Sequence, residues 1–189
     1  MMALPAELIA GLLDAKSGAK WKVLDIAAGH GLFGVAIGKH NPNAEIVALD
    51  WPNVLEVAGE NAKAAGISDR YRMIGGSAFE ADYGSGYDIV LLTNFLHHFD
   101  VPTCETLLRK VHGALGPGGR AVTLEFIPNE DRVSPPLVAA FSMMMLGGTA
   151  GGDTYTFSEL DRMFLNARFS NNELRSIEPS IQQVVVSTR

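Results

Sequence analysis

The chain has 189 residues, which is enough for one domain with a full hydrophobic core and too few for two comfortable ones. Its 47% hydrophobic and 19% charged residues are typical of a globular protein in water. The net charge of -6 argues against a nucleic-acid partner, because phosphate binding needs clustered Lys and Arg. The single cysteine, Cys104, excludes an internal disulfide, which agrees with a reducing cytoplasm.

The sequence predicts neither a signal peptide nor a membrane span. The first positive charge is Lys16, and the residues before it have the pattern of a mixed helix rather than an apolar block. Residues 133–152 carry no charge, but their dense apolar part, 137–146, is far shorter than the roughly 20 residues that cross a bilayer. We interpret this segment as a buried or pocket-lining helix. We therefore expect a cytoplasmic protein with no membrane partner.

In chain order, the first two thirds of the sequence alternate between helix and strand patterns. One face of a helix over residues 5–16 carries large aliphatic side chains, namely Leu8, Ile9, Leu12 and Leu13. The predicted strands are 22–27, 45–50, 71–75, 87–93 and 120–127. Three helices are predicted between these strands. The first ends at Lys39, and the other two cover 52–65 and 102–115; glycine or proline lies at their ends.

The last third of the sequence has a different rhythm. A polar loop over 128–136 precedes two predicted helices, 137–146 and 157–167, which a glycine-rich link joins. Two strand-like runs, 173–177 and 183–187, flank a short turn. Strands that alternate with helices predict an α/β fold with a parallel sheet covered on both faces, and the final hairpin adds an antiparallel edge.

A glycine loop follows the first predicted strand. Gly29 and Gly31 carry no Cβ, so the backbone there can turn tightly and approach a ligand closely. The next helix directs its free N–H groups at whatever lies on the loop. Gly29-x-Gly31-x-x-Gly34 matches the dinucleotide fingerprint, and Asp50 ends the following strand near the spacing that this fingerprint requires. The pattern predicts a nucleotide-cofactor site.

Two features of this loop disfavour a nicotinamide cofactor. Asp25 places a carboxylate in a strand that dinucleotide folds keep apolar, and Ala27 and Ala28 start the run of small residues early. A carboxylate cannot help to bind a diphosphate, but it can help to bind a cation such as S-adenosylmethionine, with its amino group and sulfonium. An NAD(P)-dependent oxidoreductase stays an alternative on the glycine fingerprint, although none of the four tyrosines begins a Tyr-x-x-x-Lys pair.

The pattern Val-Leu-Asp-x-Ala-x-Gly-x-Gly, with Asp50 after it, resembles motif I of class I S-adenosylmethionine-dependent methyltransferases. From Trp21 onward the order of motifs is similar to the catalytic domain of small-molecule O-methyltransferases, such as the caffeic acid, hydroxyindole and polyketide-tailoring enzymes. The motifs are Gly76-Ser77-Ala78-Phe79, Asn94-Phe95-Leu96-His97-His98-Phe99-Asp100, Glu125-Phe126-Ile127-Pro128 and Gly151-Gly152. The resemblance implies a Rossmann-like fold with a mostly parallel seven-stranded sheet, helices on both faces and an antiparallel C-terminal hairpin.

The resemblance also implies roles for individual residues. Asp50 would accept the ribose hydroxyls of S-adenosylmethionine, and the backbone from Ala27 to Gly31 would cradle its methionine part. The full set of implied cofactor-binding residues is Asp25, Ala27, Ala28, Gly29, Gly31, Asp50, Trp51, Ser77, Ala78, Phe79 and Asn94. His97 matches the general base, a group that typically contributes about 10²- to 10⁴-fold, and Glu125 matches the acid that orients it.

The substrate would be a small hydroxylated molecule, most simply an aromatic one. Phe141, Met144 and Met145 fall where this family has its substrate-pocket helix, and methionine adapts to flat aromatic acceptors. No metal site is expected, because His97 and His98 are adjacent and point apart, with no other ligand cluster near them in the sequence.

Several residues depart from the family pattern. His98 replaces an Asp after the base, Thr154 replaces a second orienting Glu, and Ser77 replaces the Asp that meets the adenine amine. Thr93 or Asn94 stands where a Lys or Arg is common. Cofactor binding tolerates these changes better than the base machinery does, so a non-catalytic S-adenosylmethionine-binding module stays a second alternative.

Members of this family also carry an N-terminal helical region that dimerises. Here about twenty residues precede the first strand, so we expect residues 1–20 to be a helix that is a remnant of that region or a link to it, and residues 21–189 to be the catalytic domain. An exposed apolar patch around the first helix and the 143–146 helix would favour a homodimer, weakened if the dimerisation region is absent.

Overall fold

A computed structural model describes residues 2–189 and confirms the alternation of strands and helices. The strands are β1 (Lys22–Ile26), β2 (Glu45–Asp50), β3 (Tyr71–Gly75), β4 (Tyr87–Thr93), β5 (Leu115–Glu125), β6 (Asn171–Ser176) and β7 (Gln183–Thr188). The helices are α1 (Ala3–Leu12), α2 (Leu32–His40), α3 (Pro52–Ala64), α4 (Val101–Ala114), α5 (Pro136–Gly148) and α6 (Phe157–Asn166). Short 3-10 turns cover Ala15–Ser17, Ser68–Arg70 and Leu96–His98.

The seven strands form one sheet in the order β3-β2-β1-β4-β5-β7-β6. β1 pairs with β2, and β2 with β3, in parallel register. β7 pairs antiparallel with both β5 and β6, so the last two strands form the predicted hairpin. The prediction of a mostly parallel sheet with an antiparallel C-terminal edge is confirmed.

The chain divides into two compact units. The first contains the residues up to Leu91 together with 114–119, and the second contains 92–113 and 120–189. In the first unit, β1 is buried through Val23, Leu24 and Ile26, and the strand also buries the carboxylate of Asp25. In the second unit the apolar faces of α4 and α6 and the centre of β7 are buried.

The two largest errors in the predicted boundaries lie at the end of the first helix and at the start of β5. The first helix ends at Leu12, because Asp14 adopts a left-handed conformation with φ of 54° and a 3-10 turn follows. β5 begins at Leu115 rather than at residue 120, so the glycine-rich run 116–119 belongs to the strand. A Cβ on Gly119 would lie 2.7 Å from the Tyr87 carbonyl oxygen. The glycine therefore permits a close backbone approach within the strand. From the sequence alone, a glycine-rich run is interpreted as a turn that interrupts the strand.

α5 differs from the expected buried helix. Its buried class contains Val138, whereas Leu137, Met143 and Leu146 are 71%, 76% and 78% exposed. The first turn of α5 lines a cavity of about 320 Å³, but Phe141, Met144 and Met145 are not among its lining residues, so their place in a substrate pocket stays a prediction. The absence of charged residues does not show which side chains other elements cover, so the exposure of this helix could not be predicted from the sequence.

Exposed apolar side chains occur on both helices where they were expected. On α1, Leu4 is 51% and Leu12 38% exposed, and on α5 the exposed residues include Met143, Met144 and Leu146. Self-association through these surfaces stays a prediction. Within residues 2–189, no helix has the length and apolar character needed to cross a membrane.

Candidate active site

The loop after β1 has the backbone that its glycines predict. Ala27, Gly29 and Gly31 have φ values of 53°, 56° and 72°. A Cβ on Gly31 would lie 2.4 Å from the Tyr71 hydroxyl and 2.9 Å from the Ala58 Cβ, so no larger residue fits without displacement. The Gly31 N–H donates to the Ala28 carbonyl at 2.7 Å, which closes a tight turn directly before α2.

Asp25 lies beneath this loop rather than on its surface. The residue is fully buried, and its Oδ2 accepts the Gly34 N–H at 3.1 Å, which caps the first turn of α2 in place of the missing side chain of Gly31. Oδ1 has no hydrogen-bond partner among the described residues. Burial raises the pKa of Asp25 to about 7, against the Gly34 hydrogen bond and with a further push from the charge of Asp50.

Asp50 joins the end of β2 to the loop. Its Oδ2 accepts the Gly29 N–H at 2.8 Å, and its Oδ1 accepts the Trp51 N–H at 2.7 Å. Each carboxylate oxygen has a second lone pair, so a half-buried Asp50 can still accept hydroxyl groups. Trp51 is 57% exposed beside it.

The Ser77–Phe79 segment follows β3 on the same edge of the sheet. The Gly76 N–H donates to the Asp50 carbonyl at 2.9 Å, and Ser77 Oγ accepts the Phe79 N–H at 3.2 Å. The predicted cofactor residues of the first unit therefore collect at the carboxyl ends of β1, β2 and β3, where open α/β sheets bind ligands.

These residues suit a cofactor with a ribose and a cationic end. The site offers the acceptors of Asp50, and residues 27–34 include no Lys or Arg to bind a diphosphate. Within residues 2–189 no group of His, Cys, Asp and Glu side chains could hold a metal ion.

A second cluster, in the second unit, surrounds His97. The imidazole is 5% exposed, and its Nδ1 lies 2.6 Å from Glu125 Oε2. Glu125 Oε1 accepts the N–H groups of Phe95 and Leu96 at 3.0 and 2.9 Å. The carboxylate is thus fixed by the backbone. In a neutral imidazole its acceptor character makes Nδ1 the donor, which leaves the lone pair on Nε2.

The turn that places His97 begins at Asn94, which has φ of 55°. Asparagine tolerates this left-handed conformation better than most residues. Its N–H donates to the Leu124 carbonyl at 2.9 Å, and its side-chain oxygen accepts the amide of Gln182. Asn94 therefore belongs to the second unit, whereas the other predicted cofactor residues lie in the first.

Aromatic rings surround the imidazole. The Phe141 ring packs edge to face on His97 with centroids 5.0 Å apart, and the Phe126 ring lies 4.2 Å from that of Phe141. Of the other two predicted substrate residues, Met144 is 65% exposed and Met145 is half-buried. Phe126 is not among the predicted site residues, because no motif marks it beyond its place after Glu125.

Thr154, which stands where the family has a second orienting Glu, is 1% exposed. Its N–H donates to the Asp153 carboxylate at 2.8 Å, and its carbonyl accepts Arg132 Nη2 at 3.2 Å. His98 follows His97 in the chain and is an exposed residue. Partial desolvation lowers its pKa, the charge of His97 lowers it further, and the charge of Glu125 acts in the opposite direction.

The family model of the O-methyltransferase domain matches residues 17–170. The chain belongs to this family. Among curated relatives, the 3-hydroxy-5-methyl-1-naphthoate 3-O-methyltransferase of Streptomyces sahachiroi is 29% identical over 169 residues, which cover 89% of this chain and 49% of the relative. The family uses S-adenosylmethionine, and solved structures of similar fold contain it or S-adenosylhomocysteine.

Solved structures of O-methyltransferase domains have the same fold. A candidate O-methyltransferase from Nostoc punctiforme PCC 73102 is 56% identical with a TM-score of 0.96, over 100% of this chain and 57% of that one. A family 2 O-methyltransferase from Planctomyces limnophilus DSM 3776, solved with apigenin, is 27% identical with a TM-score of 0.83, over 89% and 51%.

The chain therefore spans about half the length of the relatives that it matches. The class I methyltransferase fold and the cofactor class are confirmed, and the NAD(P)-dependent alternative is wrong for a member of the O-methyltransferase domain family.

Proposed function

We propose that this domain transfers the methyl group of S-adenosylmethionine to a hydroxyl of a small aromatic molecule, with His97 as general base. The observation that carries the proposal is the buried pair of His97 and Glu125, whose Nδ1 to Oε2 distance is 2.6 Å. A buried imidazole fixed by a carboxylate is suited to remove a proton, and methyl transfer to a hydroxyl is much faster once that proton is gone.

When bound, S-adenosylmethionine supplies an electrophilic methyl group on a sulfonium. We propose that Asp50 accepts the ribose hydroxyls, that the backbone of Ala27, Ala28, Gly29 and Gly31 cradles the methionine part, and that the Ser77–Phe79 segment, Trp51 and Asn94 complete the binding set. Asp25 then acts by capping α2, which holds the glycine loop in shape, because its side chain is fully buried beneath that loop.

In the proposed reaction, Nε2 of His97 takes the hydroxyl proton while Nδ1–H stays bonded to Glu125. The imidazolium that forms is stabilised by the Glu125 carboxylate, which the Phe95 and Leu96 N–H groups keep in place. Because Glu125 is 4% exposed, little water screens this attraction.

An aromatic acceptor is supported by the ring of Phe141, which packs on the base, and by the ring of Phe126, which packs on Phe141. Flat apolar faces of this kind stack well on another aromatic ring. The names of the naphthoate enzyme and of the apigenin complex point to the same class of acceptor. We propose Met145 and Met144 as adaptable contacts farther along α5.

The test is methyl transfer from labelled S-adenosylmethionine to 3-hydroxy-5-methyl-1-naphthoate and to apigenin by the His97→Ala variant. We expect kcat to fall by about 10²- to 10⁴-fold while calorimetry shows unchanged affinity for S-adenosylhomocysteine. His40→Ala is the matched control, because His40 lies at the end of α2 and pairs with Glu7. A His97→Ala variant with the rate of the control would remove His97 as the base.

A second candidate is a non-catalytic S-adenosylmethionine-binding module. It is favoured by Thr154, which is engaged with Asp153 and Arg132 instead of supplying a second acid. Binding of S-adenosylhomocysteine by the wild-type domain, together with no methylation of either acceptor, would support this candidate against the first.

A further inference from the structure

A polar cluster connects α5 to the loops before and after it. The Asp153 carboxylate accepts the Ser142 hydroxyl with one oxygen and Arg132 Nη2 with the other. Arg132 Nη1 reaches both oxygens of Glu159 at 2.7 Å. We call Arg132, Asp153 and Ser142 the α5 latch. Its members come from three separate segments, namely the loop before α5, α5 itself and the loop before α6.

The loop that carries Arg132 is built to present it. Arg132 has φ of 57°, and its N–H donates to the Asn129 carbonyl at 2.8 Å. Asp131 accepts the N–H groups of Val133 and Ser134, each at 2.9 Å. An arginine in the left-handed region persists where its surroundings determine the backbone, so this loop is held in one shape with the guanidinium at its tip.

α5 has little apolar attachment of its own. Val138 is its one residue in the buried class, and much of its remaining surface is exposed. The other anchor is Phe141, which packs on His97 and Phe126 and directly precedes Ser142. The α5 latch therefore contacts the helix at Ser142, one residue after Phe141, whose ring contacts His97.

We propose that Arg132 and Asp153 are positioning residues, which hold α5 through Ser142 so that Phe141 keeps the His97 imidazole in its reactive orientation. The Glu125 hydrogen bond fixes the position of Nδ1. The orientation of the ring plane depends on the rings that contact it, namely His98 with its centroid at 4.4 Å and Phe141 at 5.0 Å. The edge-to-face contact, with an interplanar angle of 89°, fixes that plane and so the direction of the Nε2 lone pair.

The proposal rests on the proposed role of His97, so its first test needs no enzymatic activity. The side-chain signals of His97, assigned by comparison with His97→Ala, report the ring current of Phe141 in ¹H–¹³C NMR spectra of the free protein. We expect Phe141→Leu, Arg132→Ala and Asp153→Asn to move these signals in the same direction. Arg175→Ala, which removes an exposed arginine paired with Glu173, should leave them in place.

The second test is kinetic, with 3-hydroxy-5-methyl-1-naphthoate as acceptor. We expect Arg132→Ala and Asp153→Asn each to lower kcat by about 5- to 50-fold, below the roughly 10²-fold effect of a 1 Å misplacement, with no change in the affinity for S-adenosylhomocysteine. The double variant should lose no more than the stronger single variant, because both act through Ser142. Arg132→Lys, which retains the charge, should recover part of the loss.

The positioning role of the α5 latch is refuted if Phe141→Leu moves the His97 signals but Arg132→Ala and Asp153→Asn leave them unchanged, as Arg175→Ala does. Additive losses in the double variant would also overturn it. An absence of methyl transfer by the wild-type protein would count against the proposed function, whereas the NMR comparison would still decide on the latch.

Discussion

Replacing Glu125 by Gln removes one charge and changes which hydrogen bonds His97 can make. The two backbone N–H groups of Phe95 and Leu96 would retain the carbonyl oxygen of the new amide, since an NH2 group there would leave both donors unsatisfied. The NH2 group then faces Nδ1, and the imidazole must accept there. The proton moves to Nε2, so the lone pair that would remove the hydroxyl proton is lost.

The expected loss is large because the tautomer, rather than the position, is wrong. An analogous carboxylate-to-amide change in the Ser-His-Asp triad lowers kcat by about 10⁴-fold, and we expect about 10³- to 10⁴-fold here. Stability should change little, because all three hydrogen bonds of residue 125 are retained in number. Glu125→Ala is a poorer test, since it removes the acceptor of the buried Leu96 N–H, at about 1–3 kcal/mol, together with the acceptor of the Phe95 N–H.

The assay is the initial rate of methyl transfer to the naphthoate between about pH 6 and about pH 10, with calorimetry of S-adenosylhomocysteine at each end. The Glu125→Gln variant should regain activity at about pH 10, where the phenolic hydroxyl of the acceptor ionises, because an ionised acceptor needs no base. Glu173→Gln, which neutralises an exposed carboxylate paired with Arg175, is the matched control. A Glu125→Gln enzyme with the kcat of this control at neutral pH would refute the reasoning.

Three further predictions concern the cofactor loop and the surface. Gly31→Ala should lower the free energy of unfolding in urea by about 2–4 kcal/mol, because its Cβ meets the Tyr71 hydroxyl at a positive φ. Gly84→Ala is the control, because Gly84 has a similar φ of 74° but no atom near its Cβ position, so only backbone strain should lower its free energy of unfolding. An equal decrease in both variants would contradict the clash with Tyr71. The pKa of Asp25 is raised to about 7, so the folded state holds a proton that the unfolded chain releases near pH 4. The free energy of unfolding of the wild type should therefore fall between about pH 4 and 7 relative to Asp25→Asn, by about 1.4 kcal/mol per unit at most, and a constant difference would contradict this. Sedimentation should show concentration-dependent association that Leu146→Ser weakens, since this side chain is 78% exposed, and a strict monomer at all concentrations would exclude it.

Much of the fold could be predicted because its strands are short apolar runs between strong turn signals. The predicted runs 45–50, 71–75 and 87–93 coincide with β2, β3 and β4. Prediction failed where tertiary packing overrides local signals. The glycines before residue 120 look like a break, yet they allow β5 to start at Leu115 against the Tyr87 carbonyl.

The site shows the same division. The proximity of His97 and Glu125 follows from strand ends that meet at one edge of a sheet, so pattern alone could anticipate it. The capping role of Asp25 could not be read from the sequence, because it depends on which way a strand side chain faces. Arg132 and Asp153 also escaped notice, since their contact depends on two loops whose conformations are not periodic.

The proposed function depends most directly on which atom of the acceptor receives the transferred methyl group. Incubating the wild-type domain with ¹³C-methyl-labelled S-adenosylmethionine and 3-hydroxy-5-methyl-1-naphthoate, followed by ¹³C NMR of the product, identifies the atom that receives it. We predict a single labelled methyl ether on the ring hydroxyl. Label on a ring carbon, or no labelled product from a domain that binds S-adenosylhomocysteine, would contradict it.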